Sequence, residues 1–213
     1  MTSLLVIVNV VIFSFQWLIE WAVPSLSIFL QQVFALSIPG IRAGFWWQFV
    51  THAFMHGNIL HLLVNVVGLW FAGRLVERVI GPWRLLLLYL FAAISGGVLQ
   101  MAMGGNSLLL GASGAVCGII VAFCTIFPNR EVMVFLFFVL PLQVRAKYIG
   151  WGLVLSSFLF LVTNIEPWIG HAAHLGGCIG GFLFVRLAGF ARPSRVESFV
   201  SRRPPYPKTS PRR

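Results

Sequence analysis

The stretch Val132–Val144 reads VMVFLFFVLPLQV. It is uncharged, bulky throughout, and carries a proline at position 141. Whether these 13 residues cross a membrane decides how every later segment is oriented. A crossing helix needs about 20 apolar residues, and runs of about 10–14 are more often interfacial or re-entrant. By that measure Val132–Val144 is not a span.

Six other runs do read as spans, near Leu4–Ile19, Ile59–Val79, Trp83–Met103, Leu109–Phe127, Tyr148–Asn164 and Trp168–Leu187. The chain has 213 residues, 59% hydrophobic and only 9% charged, where a soluble domain carries roughly a quarter charged. This composition points to an all-α integral membrane protein. The basic residues test the count. With six spans and a cytoplasmic N-terminus, Arg42 alone lies outside, and the other 14 of the 15 Lys and Arg face the cytoplasm. Counting Val132–Val144 as a seventh span leaves 4 inside and 11 outside. The positive-inside rule therefore selects six spans with both termini cytoplasmic. The net charge of +10 is accounted for by topology, and no nucleic-acid partner is implied. No basic n-region precedes LLVIVNVVIF and no small-residue cleavage pattern follows it, so it reads as a retained span.

Glu20–Asn58 is then a long external loop. Its tryptophans, Trp21, Trp46 and Trp47, suit a partly embedded interfacial element. Residues 1–190 form one membrane domain. Residues 191–213, rich in Pro and Arg, read as a disordered basic cytoplasmic tail resting on anionic lipid. Cys117, Cys124 and Cys178 lie in apolar segments with neither disulfide nor metal spacing, and read as small buried residues.

Strongly polar groups at membrane depth are costly and so are functional candidates. His61 and Asn65, four apart, share a face of the second span. Ser113 lies near the N-terminus of the fourth, and His171 and His174 lie on the sixth. Gly114 and Gly118 flank Ser113, and Gly177 and Gly181 follow His174 on its own face. Small residues at this spacing let membrane helices approach closely, so the fourth and sixth spans should pack with Ser113 facing His174. An imidazole there can act as base to the hydroxyl. The start of the fourth helix, with His61 and Asn65, offers donors to an oxyanion. All five acids, Glu20, Glu77, Glu131, Glu166 and Glu197, fall at or beyond span ends, so a Ser–His dyad fits better than a triad. Taken singly, a membrane serine is usually a packing residue and a membrane histidine a hydrogen-bonding one. It is the combination on three spans that carries information.

Four pieces, WWQFVTHAFMHGNILHLLVN, GLWFAGRLVERVIG, GASGAVCG and AHLGGCIGG, resemble the rhomboid family of intramembrane serine proteases, of the compact six-span bacterial type. The resemblance runs from about Trp46 to Gly181. It implies a six-helix bundle with a partly embedded first loop, and the compactness and lack of targeting segments point to the bacterial cytoplasmic membrane. The implied activity is hydrolysis of peptide bonds in or beside transmembrane helices of other membrane proteins. By position it implies Ser113 as nucleophile and His174 as base. His61, Asn65 and the Ser113 backbone N–H are the implied oxyanion donors. Gly111 and Ala112 lead into the same turn, and Gly114, Gly177 and Gly181 are implied packing positions. Glu77 with Arg78 matches a pair that looks structural, and His52 with His56 match loop histidines that look structural or water-organising. No metal or organic cofactor is implied. Two departures stand out: Cys117 occupies a position where many members carry an aromatic that stacks on the base, and Gln48 one where some carry Arg. Two other functions compete: a catalytically inactive relative that binds membrane proteins, and a polyhistidine metal transporter or channel, for which no accompanying carboxylate falls within the membrane. Substrates should carry small or helix-breaking residues near the outer end of their span. The fifth span and TNIEPW, Thr163–Trp168, are the expected lateral gate.

Overall fold

In the computed structural model, residues 1–103, 108–136, 140–163 and 169–190 are described. The helices are α1 (Thr2–Ala22), α2 (Pro24–Phe34), α3 (Ile38–Arg42), α4 (Gln48–Thr51), α5 (Ile59–Gly68), α6 (Arg74–Ile80), α7 (Pro82–Ala102), α8 (Ser113–Ile126), α9 (Ala146–Thr163) and α10 (His171–Leu187). A π turn, Leu69–Gly73, joins α5 to α6, so Ile59–Ile80 is one rod. Helices lie at all six expected positions. Four of these rods, α1, α5 with α6, α7 and α9, are long and apolar enough to cross a membrane. Large apolar side chains cover the outer surface: Trp17, Leu63, Phe71 and Trp151 are all more than half exposed. Such a surface suits lipid rather than water, and the protein is an integral, multi-pass membrane protein.

The described residues of Val132–Val144 are strand, not helix. Strands β1 (Glu131–Leu136) and β2 (Leu140–Arg145) pair antiparallel, with Glu131 opposite Arg145 and Val134 opposite Leu142. The sequence reading anticipated a short non-spanning piece. It did not anticipate a hairpin, because a run apolar on both faces has no period-2 signature. Pro141 sits on a two-stranded ribbon, where a missing ladder donor is tolerated.

Helix α8 begins at Ser113, not at Leu109 as expected. Leu109 instead forms a two-way backbone bridge with Leu36 of the external loop, at 2.8 and 2.9 Å. Gly111, at φ 126°, turns the chain from that bridge into the helix. Helix α10 begins at His171, later than the Trp168 expected. The gate segment Asn164–Trp168 and the tail from position 191 lie outside the described residues.

The core is built by glycine. Eleven of the 14 residues of α8 are buried, chiefly against α7 and α10. A Cβ at Gly177 or Gly181 would overlap the carbonyl of Gly114 or Gly118 on the facing helix. A Cβ at Gly96 of α7 would lie 2.6 Å from the Ala173 carbonyl oxygen. The three backbones therefore touch, which only small residues allow. Helix α1 is tied in from its first turn. Glu77 of α6 accepts from the Thr2 N–H at 2.9 Å and the Thr2 hydroxyl at 2.6 Å, and pairs with the Met1 ammonium at 2.6 Å. This gives the expected structural residue Glu77 a specific task.

The external loop is anchored by the residue that departed from the family pattern. Gln48 is fully buried. Its Oε1 accepts from the Ser37 N–H at 3.1 Å, and its Nε2 donates to the Gln32 carbonyl at 2.7 Å. Trp47 Nε1 donates to the Val33 carbonyl at 2.8 Å, and the Thr51 hydroxyl to the Phe34 carbonyl at 2.7 Å. With a further bond from Nε2 to the Val33 carbonyl at 3.2 Å, the neutral Gln48 amide satisfies three loop groups without burying a charge.

Candidate active site

Ser113 is the first residue of α8, and His174 lies one turn into α10. The glycine contacts bring these helix starts together, and the Ser113 Oγ lies 2.8 Å from His174 Nε2. With Nε2 unprotonated, the hydroxyl donates and the imidazole accepts. Both side chains are half-buried, so the pair is sheltered yet reachable. The first N–H groups of α8 point back toward Ser113 without intrahelical acceptors, and the helix dipole favours negative charge there.

His61 and Asn65 approach from α5. Asn58 caps this helix, its Oδ1 accepting from the His61 N–H at 2.8 Å. The His61 ring lies over Gly111, where a Cβ would come within 2.6 Å of Nε2. Asn65 is buried and donates Nδ2 to the His61 carbonyl at 2.8 Å. Among the described residues, no hydrogen bond joins either side chain to Ser113 or His174. His61 therefore borders the segment entering Ser113, and Asn65 stands one turn further along the same helix.

The external loop shapes this entry segment. The Gly111 N–H donates to the His52 carbonyl at 2.9 Å, and the Ala112 N–H reaches His56 Nε2 at 3.5 Å. His52 is in turn fixed by a 2.8 Å bond between its Nδ1 and the Gln48 carbonyl. Burial pushes the His52 imidazole down to about 4. Burial, with His61 alongside, also pushes His56 to about 4. Both rings are therefore neutral at physiological pH, as a structural role requires. A cavity of about 940 Å³ between α1, α2 and the start of α5 reaches His56 and Leu110.

Cys117 offers no ring to stack on His174. It packs on α10 against Cys178, with Val121. The ring beside the base is His171, 6.0 Å from His174 between centroids and perpendicular to it at 87°. Phe160 of α9 stands edge-on to His171 at 5.2 Å. Phe160, His171 and His174 thus form a row of rings. His171 was set aside in the sequence because it lies off the position of the base. The one signal available there was its place one turn before His174, on the same helix face. Among the described residues, no three His, Cys, Asp or Glu side chains gather as a metal-holding set.

Comparison with known proteins bears on this arrangement. The Rhomboid domain model matches residues 43–189, which is more than half of the chain. The rhomboid protease GluP of Bacillus subtilis is 31% identical over 158 residues, covering 71% of this chain and 28% of GluP. The rhomboid protease AarA of Providencia stuartii is 28% identical over 211 residues, covering 86% and 70%. The rhomboid protease GlpG of Salmonella paratyphi A is 26% identical over 139 residues, covering 63% and 46%. The chain spans about a third of the length of the first such relatives, including Rhomboid-related protein 1 of Caenorhabditis elegans at 38%. The domain match takes in the external loop from Ala43, the α5 histidine, the serine at the start of α8 and the whole of α10, and the chain belongs to the rhomboid family.

Proposed function

We propose that this chain is an intramembrane serine endopeptidase that hydrolyses peptide bonds in or beside the transmembrane helices of other membrane proteins. The observation that carries the reading is the 2.8 Å contact between Ser113 Oγ and His174 Nε2, at the start of a helix inside an apolar bundle. Ser113 attacks the scissile carbonyl while His174 Nε2 takes its proton. The tetrahedral oxyanion is held by N–H groups at the start of α8, with His61 and Asn65 as further donors. His174 then gives its proton to the leaving amine, and the C–N bond breaks. A water, deprotonated by the same imidazole, attacks the Ser113 ester and releases the new carboxylate. The Phe160–His171 pair orients the base in place of the aromatic absent at Cys117.

Water enters from the external end, where the cavity reaching His56 and Leu110 opens. The chain crosses the bacterial cytoplasmic membrane six times, with both termini cytoplasmic. The basic residues Arg74, Arg78, Arg84, Arg130, Arg145, Lys147 and Arg186 then lie on the cytoplasmic face and Ser113 toward the other. A substrate helix must unwind before its carbonyls are open to attack, so helices with small or helix-breaking residues near their outer end are preferred. The test is cleavage of a model spanning-helix substrate in detergent, with fluorophosphonate labelling, for wild type, Ser113→Ala and His174→Ala. Loss of both signals in both variants is expected. A folded wild type with neither signal would overturn the reading in favour of an inactive, membrane-protein-binding relative.

A further inference from the structure

The end of the bundle opposite Ser113 carries a second opening that the proposed cleavage chemistry does not use. A cavity of about 480 Å³ lies between α8, α9 and α10. Its wall is apolar, formed by Val121, Val154, Cys178, Ile179 and Leu183, and its mouth holds Lys147 and Arg186. Lys147 stands in the first turn of α9 and Arg186 in the last turn of α10, so the two cations come to the same face. The Lys147 ammonium sits 5.1 Å from the Tyr148 ring centroid, and the Arg186 guanidinium 5.9 Å from that of Phe182. Among the described residues, the only ion pair is Met1 with Glu77, so neither mouth cation has a carboxylate partner there.

We propose that this cavity binds one anionic phospholipid, with an acyl chain between the helices and the phosphate between Lys147 and Arg186. The volume falls within the range of small-ligand pockets, about 300–1,000 Å³, and is too small for another spanning helix, about 10–12 Å across. The apolar wall suits a hydrocarbon occupant. Two cations at its mouth, with no carboxylate partner among the described residues, call for an anionic headgroup, the pattern of basic pockets between membrane helices.

The site has a mechanical consequence, which rests on the protease reading. The only buried residues of α9 are Ala146, Gly150 and Ser157. At Gly150, a Cβ would lie 2.9 Å from that of Cys124 on α8. A lipid in the cavity fills the space beside this contact and braces the inner half of α9. The outer half, which carries Phe160 beside His171, stays free to move. Cys178 of the cavity wall also packs against Cys117, one turn along α8 from Ser113.

Native mass spectrometry of the full chain tests binding directly, after exchange into mixed micelles of phosphatidylglycerol or phosphatidylcholine. Wild type should retain one phosphatidylglycerol and release phosphatidylcholine. The Lys147→Gln/Arg186→Gln double variant should lose about thirtyfold in retention, as expected for two lost charge contacts. Ile179→Trp, which fills the cavity and keeps both charges, should also lose the lipid, and the charge variant alone decides if Ile179→Trp does not fold. Soluble glycerol phosphate should not displace the lipid; displacement would make this a phosphate site and overturn the proposal. Equal retention of the two lipids, or unchanged retention in the charge variant, would also overturn it. Ser113→Ala must retain the lipid as wild type does, so failure of the protease reading leaves the binding result standing.

Discussion

Ser113–Ile126 and Val132–Val144 are uncharged runs of 14 and 13 residues, neighbours in the chain. One becomes the central helix of the bundle, with 11 of its residues buried. The other becomes a hairpin in which none of the residues with a described exposure is buried. Mean apolarity does not separate them, since the hairpin stretch is the bulkier. What separates them is small residues. Gly114 and Gly118 let α10 reach the α8 backbone, and the hairpin stretch has no glycine at all. Within a lipid solvent, apolar side chains gain little by leaving lipid for protein, so burial follows from how closely backbones fit.

The largest expected effect breaks this contrast if it fails. Gly181→Val places a side chain into the Gly118 carbonyl. It should destabilise the bundle by on the order of 4 kcal/mol or more, the range of severe core disruption. Met133→Ala in the hairpin, at a site 56% exposed, should stay within about 0.5 kcal/mol. Thermal unfolding in detergent compares the two, and similar shifts would show that glycine packing does not distinguish these segments. Gly111→Ala comes next. The new Cβ meets both an unfavourable φ of 126° and the His61 ring. Cleavage should fall by about 10²–10³-fold, the cost of losing an oxyanion donor, while fluorophosphonate still labels Ser113. Near-wild-type cleavage would remove His61 from the oxyanion site.

The contrast also marks how far the sequence could be read. The approach of Ser113 to His174 was legible because its causes are local: glycines four apart on two helices, and a polar residue at each helix start. The four rods long enough to span were legible because long apolar runs are unambiguous. The hairpin was not, since a run apolar on both faces carries neither a period of 2 nor one of 3.6. The roles of Gln48 and His171 were not legible either, for a different reason. Gln48 bonds loop carbonyls some 15 residues away in the chain, and His171 acquires its meaning from Phe160 on another helix. Such contacts exist only once the tertiary arrangement is formed.

A smaller effect should appear with acid. The His52 imidazole titrates at about 4 in the folded protein, below its ordinary 6.5. Between those values the unfolded chain binds the proton and the folded chain does not. Its contribution is therefore fully present above about pH 6.5 and lost as pH falls toward 4, amounting to at most about 3 kcal/mol. His56 acts in the same direction. Because these residues hold Gly111 and Ala112, the loop end of the bundle should loosen before the glycine-packed centre. Hydrogen exchange at pH 7.5 and pH 5 should show Leu109–Ala112 losing protection while α8 keeps it. Uniform loss would mean that the two regions open together.

The smallest expected effect concerns the ring row. His171→Leu removes the perpendicular ring beside His174 but leaves the glycine face and the 2.8 Å contact in place. If His171 positions the base, kcat should drop about tenfold, near 1.4 kcal/mol of transition-state stabilisation, with KM unchanged. His171→Phe keeps an aromatic edge between Phe160 and His174 and should recover most of the rate. A residue needed only for packing would lower thermal stability without this split between kcat and KM. Rescue by Phe but not by Leu would therefore identify the ring itself as the feature that takes over from the aromatic missing at Cys117. That would place the orientation of the base on α9 and α10, so that movement of α9 during substrate entry would be felt directly at His174.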